Sequence, residues 1–440
     1  MIVLTNMVLP ITIRSNFLKV FTHQGFLKYS ININWLFFGR VSTLAVSFFI
    51  SIYVARYLGP SNYGLLSYVI SFVSLFSFIT NLGLDQIFAR ELLQHPEKEK
   101  ELLGTTFTLK TFGGVVAFIL ALLGALYLKD DFFTRSLIFV VGLSSIFQPM
   151  LIIIGYYQSK AKNKYPVLIT FAATILLSLF KLFVIFADKG LYYFSFVFAL
   201  EPLLYGVFLA YLFTKQHYSL FTWRFNPTVA ASLFKDSWPL MLTGAFTIIY
   251  TRIDQIIIKQ LIGQTSVGLY DVGVRIAEFW YFIPGVFVTA LYPALINAQK
   301  TNIETYRKRL GYLFSFLLII SVFFAIPLSL FSHTIITMLY GPAYASSAII
   351  LSIYVWAGVA VSLWTGVSQF LIVENDRHTI FVASLLSMLL NVILNFILIP
   401  RFGIQGAAYS TLISYFMLPI TALFFKKTRN DMMAIIKVFL

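Results

Sequence analysis

Long unbroken apolar runs dominate the chain, in place of the short alternating patterns of surface helices or half-buried strands. A helix needs about 20 apolar residues to cross the hydrocarbon core of a bilayer. Runs of that length, bounded by charges or by Gly, Pro and Asn, occur near 34–57, 64–84, 104–128, 135–157, 166–187, 191–214, 237–260, 266–296, 312–338, 345–373, 380–400 and 404–425. The pattern predicts an all-α membrane protein of about twelve transmembrane helices.

The polar positions between the runs set the orientation, because Lys and Arg are retained on the cytoplasmic side. Of the 32 Lys and Arg, 21 fall on one side of the predicted bundle, in both termini and in the loops around residues 90–100, 160–164, 215–235, 300–309 and 377. The other side holds six: Arg56, Lys129, Arg135, Lys189, Lys259 and Arg401. Both termini are therefore expected in the cytoplasm. Shifting the chain by 204 residues sets LGPSNYGLLSYV from Leu58 beside IGQTSVGLYDVG from Ile262, with Gly59 on Gly263 and Gly64 on Gly268. A looser match places Lys189-Gly190-Leu191 beside Phe402-Gly403-Ile404. Two matches at corresponding places predict a duplication of six helices. The expected organisation is an amphipathic cytoplasmic segment at 1–33, a six-helix bundle at 34–214, a cytoplasmic linker at 215–236, a second bundle at 237–425 and a cytoplasmic tail at 426–440.

Composition narrows the classes further. Hydrophobic residues make up 59% of the chain and charged residues 11%, against about 25% charged in soluble proteins, so a bilayer is the solvent that fits. The net charge of +15 is dispersed between apolar runs, which reads as topology and not as a nucleic-acid surface. Cys is absent, and the five His at 23, 95, 217, 333 and 378 fall in predicted loops or helix ends, so neither a metal centre nor a cofactor is expected. No P-loop, G-x-S-x-G or HExxH pattern is present, and a non-enzyme is predicted. The start, MIVLTNMVLPITI, lacks the basic n-region and cleavage site of a removable signal. Its continuation from Arg14 to Ser30 is expected to lie at the membrane surface as an amphipathic helix.

Charges inside membrane helices are costly and are functional candidates by default. Five cations fall within or near the ends of the runs: Arg40, Lys110, Lys181, Arg252 and Arg275. The densest set is Arg252, Asp254, Asp271, Arg275 and Glu278 on the seventh and eighth helices. Asp271, Arg275 and Glu278 lie along one helix face, either lining a cavity or neutralising one another. The repeat maps them onto Ser67, Ser71 and Ser74. Arg252 and Asp254 are two apart and cannot face each other, so at least one needs another partner. Arg40 either faces the cavity or snorkels to the surface. Glu201, beside Pro202, is an intramembrane carboxylate of either structural or proton-coupling use. Pro284, beyond the charged stripe, is the expected hinge.

Several stretches resemble the polysaccharide-biosynthesis flippase family, the O-antigen and capsule repeat-unit translocases, within the superfamily that includes drug and toxin extruders. They are ARYLGPSNYGLLSY (55–68), LGLDQIFAREL (82–92), RIDQIIIKQLIGQTSVGLYDVGVRIAE (252–278), MLYGPAYASSAIIL (338–351) and SMLLNVILNFILIPRFGIQGAAYSTLIS (387–414). The resemblance implies two pseudo-twofold-related six-helix bundles around a V-shaped cavity that alternates its opening. It implies an undecaprenyl-diphosphate-linked oligosaccharide as substrate, moved from the inner to the outer leaflet of the cell membrane. Arg40, Lys110, Arg252 and Arg275 are then the implied diphosphate ligands, with Tyr270 and its neighbours Tyr250, Trp280 and Tyr281 as stacking surfaces for sugars. Asp254, Asp271, Glu278 and Glu201 become candidates for ion coupling. Membrane lipid, a polysaccharide polymerase and glycosyltransferases are the implied partners. The alternative is a cation-coupled drug or metabolite antiporter of the same fold. A membrane polymerase would need a large extracytoplasmic loop, and the predicted outer loops are short.

Overall fold

The computed structural model describes residues 24–216, 219–374, 376–425 and 429, and among them the chain is helical with no strand. Among the described residues, eleven helices are long and apolar enough to cross a membrane. The first, Gln24–Ser74, contains a break at Gly59; dividing it there gives the twelve crossings predicted from the apolar runs. The second span is completed by a short helix, Ser77–Asn81. The remaining spans are Pro96–Tyr127, Phe132–Ser159, Lys164–Phe186, Leu191–Lys215, Pro227–Leu261, Gln264–Thr289, Ile303–Leu330, Ser347–Val373, Arg377–Phe402 and Ile404–Phe424. Most of the expected amphipathic segment and of the tail lies outside the described residues, and from Gln24 the chain already belongs to the helix of the first span.

The repeat is visible in the backbone. Gly59 has φ 69° and ψ 170°, and Gly263 has φ 124° and ψ 169°. Both stand at the turn between the first two spans of their half, in the positive-φ region that a side chain disfavours. The next matched pair meets across the pseudo-twofold axis. A Cβ on Gly64 would fall 1.9 Å from the Gln264 carbonyl oxygen, and one on Gly268 would fall 2.1 Å from the Pro60 carbonyl oxygen. The two halves thus touch backbone to backbone through a pair of repeat-related glycines. Small residues serve this purpose where lipid supplies no hydrophobic drive for helices to associate. Gly190 and Gly403 also correspond, each preceding the last span of its half.

Each lobe has its own core. Phe88, Tyr156, Tyr157 and Phe213 pack together in the N-terminal lobe, while Leu310, Leu317, Val367 and Phe370 do so in the C-terminal lobe. A third cluster joins them, with Tyr68 and Val69 of the second span against Ile257, Val267 and Tyr270. Large apolar side chains such as Leu179, Phe183, Ile319 and Phe323 are left outward, as a lipid-facing surface requires.

Three local features depart from the predicted boundaries. The seventh helix starts at Pro227 and not near 237, because Asn226 accepts hydrogen bonds from Thr228 N (3.0 Å) and Val229 N (3.4 Å), an N-cap followed by proline in the first turn. The preceding linker packs on the N-terminal lobe: Arg224 N donates to the Lys100 carbonyl and Asn226 Nδ2 to Glu101. The eighth span is broken between Glu278 and Phe282. Pro284 has no N–H for the Trp280 carbonyl, and Ile283 N donates to it instead at 3.0 Å, so the expected hinge proline lies just beyond an actual break. Between the ninth and tenth spans, Ser332–Tyr340 forms a further short helix at the end of the bundle opposite the basic loops.

Candidate functional site

Several contacts hold the lobes together at that opposite end. Lys259, near the end of the seventh span, pairs with the fully buried Asp130 of the N-terminal lobe and sits 4.8 Å over the ring of Tyr68, whose hydroxyl donates to the other Asp130 oxygen at 2.7 Å. Arg56 donates to the Met338 carbonyl, and Tyr344 donates to the Ala55 carbonyl at 2.7 Å. Gln264 also donates to Ser61 at 2.7 Å beside the glycine pair. Toward the basic end the lobes meet along one seam, where Gly83 packs on the backbone of Ser237 and Met241 and Arg90 pairs with Asp236 at 2.5 Å.

Between these closures lies a cavity of about 490 Å³ bounded by the first, seventh and eighth spans, lined among others by Arg40, Phe48, Arg252, Asp271, Arg275 and Glu278. The structure therefore brings Arg40, Arg252, Arg275, Asp271 and Glu278 to one place. Arg275 Nη2 is 3.2 Å from Asp271 Oδ2, with the arginine side chain 40% exposed and the aspartate 6%. Glu278 accepts from Tyr354 at 2.9 Å. Arg252 has no hydrogen bond or ion pair with a described residue, and it shares the cavity with the Asp271 and Glu278 carboxylates. Arg40 is exposed in the same cavity. On the cavity rim, Phe48 and Phe279 lie 4.3 Å apart between ring centroids.

Asp271 is also the centre of an inter-lobe network that no spacing rule announced. Its Oδ2 accepts from Tyr63 of the second span at 2.8 Å, and its Oδ1 accepts from Gln255 Nε2 at 3.0 Å. Gln255 in turn accepts from Ser71 at 2.6 Å. Ser71 is the repeat mate of Arg275, so the serine stripe meets the charged stripe through Gln255. The Arg275 guanidinium lies 5.9 Å over the Tyr63 ring, a second contact between the lobes.

The remaining candidates go elsewhere. Lys110 is buried and pairs with Asp85 at the start of helix Leu84–Gln94. Asp85 lines a separate, larger cavity of about 960 Å³ formed with the seventh and eleventh spans. Tyr270 is fully buried and donates to Asp254, so in this conformation it offers no ring face to a sugar. Asp254 points into the C-terminal lobe, where Thr411 is its second hydroxyl partner at 3.4 Å. The two-residue offset from Arg252 thus separates cavity from lobe interior. Glu201 remains inside the N-terminal lobe, accepting from Tyr205 at 3.1 Å. Trp280 is buried against Phe324 and Tyr250 against Tyr415, whereas Tyr281 borders the cavity. Tyr63 and Gln255 were not singled out in the sequence; the signal for Tyr63 was its place beside the repeated glycine.

Comparison with known proteins bears on the whole chain. A family model described as "Polysaccharide biosynthesis protein" matches residues 31–299, and one described as MatE matches residues 239–397. The "Probable flippase AglR" of Haloferax volcanii is 25% identical over 403 residues, covering 88% of this chain and 79% of that protein. Among solved structures, an inward-facing multidrug resistance MATE family transporter of the MOP superfamily superposes with a TM-score of 0.73 at 13% identity, covering 91% of this chain and 96% of that one. The lipid II flippase MurJ in an inward closed conformation gives 0.71 at 17% identity, covering 93% and 91%. These likenesses establish the two-lobe membrane fold, and the family model spans more than half of the sequence. The chain belongs to the polysaccharide biosynthesis protein family.

Proposed function

We propose that the protein is a flippase that carries an undecaprenyl-diphosphate-linked oligosaccharide from the inner to the outer leaflet of the cell membrane, for O-antigen, capsule or exopolysaccharide assembly. The observation that carries this reading is the set of three arginines, Arg40, Arg252 and Arg275, directed at one inter-lobe cavity, with Arg252 lacking a described hydrogen-bond or salt-bridge partner. A guanidinium offers phosphate a planar fork of donors, and a cationic chamber within the bilayer lowers the cost of moving a diphosphate across it. The relative named a probable flippase and the family description support the same reading. No covalent bond changes; the work is binding and alternating access.

The basic end faces the cytoplasm, so the described conformation is closed toward the outside by Lys259–Asp130 and the glycine pair. Asp254, dry within the C-terminal lobe and held by hydroxyls, is our candidate for ion or proton coupling. A polymerase and glycosyltransferases are the expected partners on either face. Deletion of the gene followed by analysis of lipid-linked sugars tests the reading: accumulation on the inner leaflet is expected. Unchanged glycolipids with altered drug tolerance would overturn it in favour of a cation-coupled antiporter, the reading that the MatE match favours.

A further inference from the structure

Asp271 belongs to two devices at once. It is the counter-ion of Arg275, which faces the cavity, and it is the acceptor for Tyr63, which belongs to the opposite lobe. Its side chain is 6% exposed because the lobes are closed over it. A dry carboxylate is tolerated there because one cation and two hydrogen-bond donors satisfy it. Any anion that captures the 40% exposed Arg275 takes away that cation, which stands on the same helix as Asp271, and also withdraws the guanidinium from the Tyr63 ring, so Asp271 loses its counter-ion as the lobes lose a direct contact.

We infer that Asp271 is the positioning residue through which an anionic substrate on Arg275 releases the closed end of the transporter. With Arg275 diverted, the closed state holds a buried carboxylate that has lost its counter-ion, which is strongly destabilising. Separating the second and eighth spans lets water reach Asp271 and removes that penalty. The substrate thereby binds the open state more tightly than the closed one, which is the requirement for a ligand to shift a conformational equilibrium. Lys259–Asp130 and Arg56–Met338 lie farther along the same face and keep the end shut when Arg275 is at rest on Asp271. The inference rests on the proposed anion-binding role of the cavity.

The chain has no cysteine, so a reporter pair can be introduced without background. Ser61→Cys with Gln264→Cys replaces two side chains bonded at 2.7 Å across the lobes, and its oxidative cross-linking rate in membrane vesicles reads closure of this end. Geranyl diphosphate is the probe, with its binding followed separately by displacement of a radiolabel. In the otherwise native protein, saturating probe is expected to slow cross-linking roughly tenfold, the equivalent of one hydrogen bond to a charged group. Asp271→Asn should bind the probe more tightly, since Arg275 is then free, yet change its cross-linking rate less than about twofold on binding. A merely structural Asp271 would not split affinity from closure in this way.

Tyr63→Phe, which preserves the ring, should slow cross-linking before any probe is added and reduce the further response; it serves where Asp271→Asn does not reach the membrane. Probe that binds in an Arg252- and Arg275-dependent manner while leaving cross-linking unchanged overturns this inference and leaves the flippase reading standing. An undiminished response in either variant does the same. Absence of Arg-dependent binding overturns the anion-binding reading itself, and this inference with it.

Discussion

The second and eighth spans are repeat mates with opposite chemistry. The eighth carries Asp271, Arg275 and Glu278 where the second carries Ser67, Ser71 and Ser74. The charged stripe opens onto the cavity, with Arg275 40% exposed, while Ser67 and Ser71 are buried. The serines are nevertheless not a neutral copy of the site. Ser71 reaches Gln255 and through it Asp271, so the first half supplies hydrogen bonds that hold the second half's charges in register. Two helices at matching places in the repeat thus differ in kind, one bearing the charge and the other covering it.

Substitutions at matched positions test that division of labour. Arg275→Ala should have the largest effect, because truncating one partner of a hydrogen-bonded charge pair typically costs about 2–5 kcal/mol, enough to lower transport roughly 30-fold or more. The check is transport per molecule at equal membrane abundance; a fall in abundance instead would mean that the stripe is a structural network. Gly64→Ala should rank next. Its Cβ would sit 1.9 Å from the Gln264 carbonyl oxygen, so the lobes must separate at a cost of about 1–3 kcal/mol. Slower cross-linking of the Ser61 and Gln264 cysteine pair would register the change, and unaltered cross-linking would show that the lobes close without the glycine contact.

Ser71→Ala should be milder, near 1 kcal/mol, as it leaves one oxygen of Gln255 without its partner. A loss of transport as large as that of Arg275→Ala would break the comparison, since the serine would then be doing more than support. Ser74→Ala should be nearly silent, within about 0.5 kcal/mol, because the Ser74 hydroxyl donates only to the Ile70 carbonyl of its own helix. Thermal stability in detergent distinguishes the last two, with a drop expected for Ser71→Ala alone.

Much of the fold could be read directly from the amino acids. Apolar runs of membrane length are nearly sufficient to define spans, because within a bilayer an unbroken run of about 20 apolar residues satisfies its own backbone as a helix, whereas barrel strands are short and alternating. The duplicated turn was legible because Gly59 and Gly263 occupy positive φ, where few other residues fit. The start of the seventh helix was missed despite Asn226-Pro227, a cap signal overshadowed by the polar stretch that follows it. The site was half legible. Intramembrane cost drew attention to Arg40, Arg252, Arg275, Asp271 and Glu278, and the structure places all five on one cavity. The same argument could not tell that Lys110 is spent on Asp85 or that Tyr270 turns its hydroxyl to Asp254.

The sequence by itself determined the number of crossings, the asymmetry of charge between the two ends, the repeat, and the residue types that must be shielded from lipid. Tertiary structure alone decided their partners. Tyr63 and Asp271 are 208 positions apart, as Lys259 and Asp130 are 129 apart, and each pairing depends on the rotation of whole helices and on how closely the lobes approach. Helical periodicity states which residues share a face. It carries no information on which face of another lobe will be laid against it, and that contact is what turns a stripe of charge into a cavity and a latch.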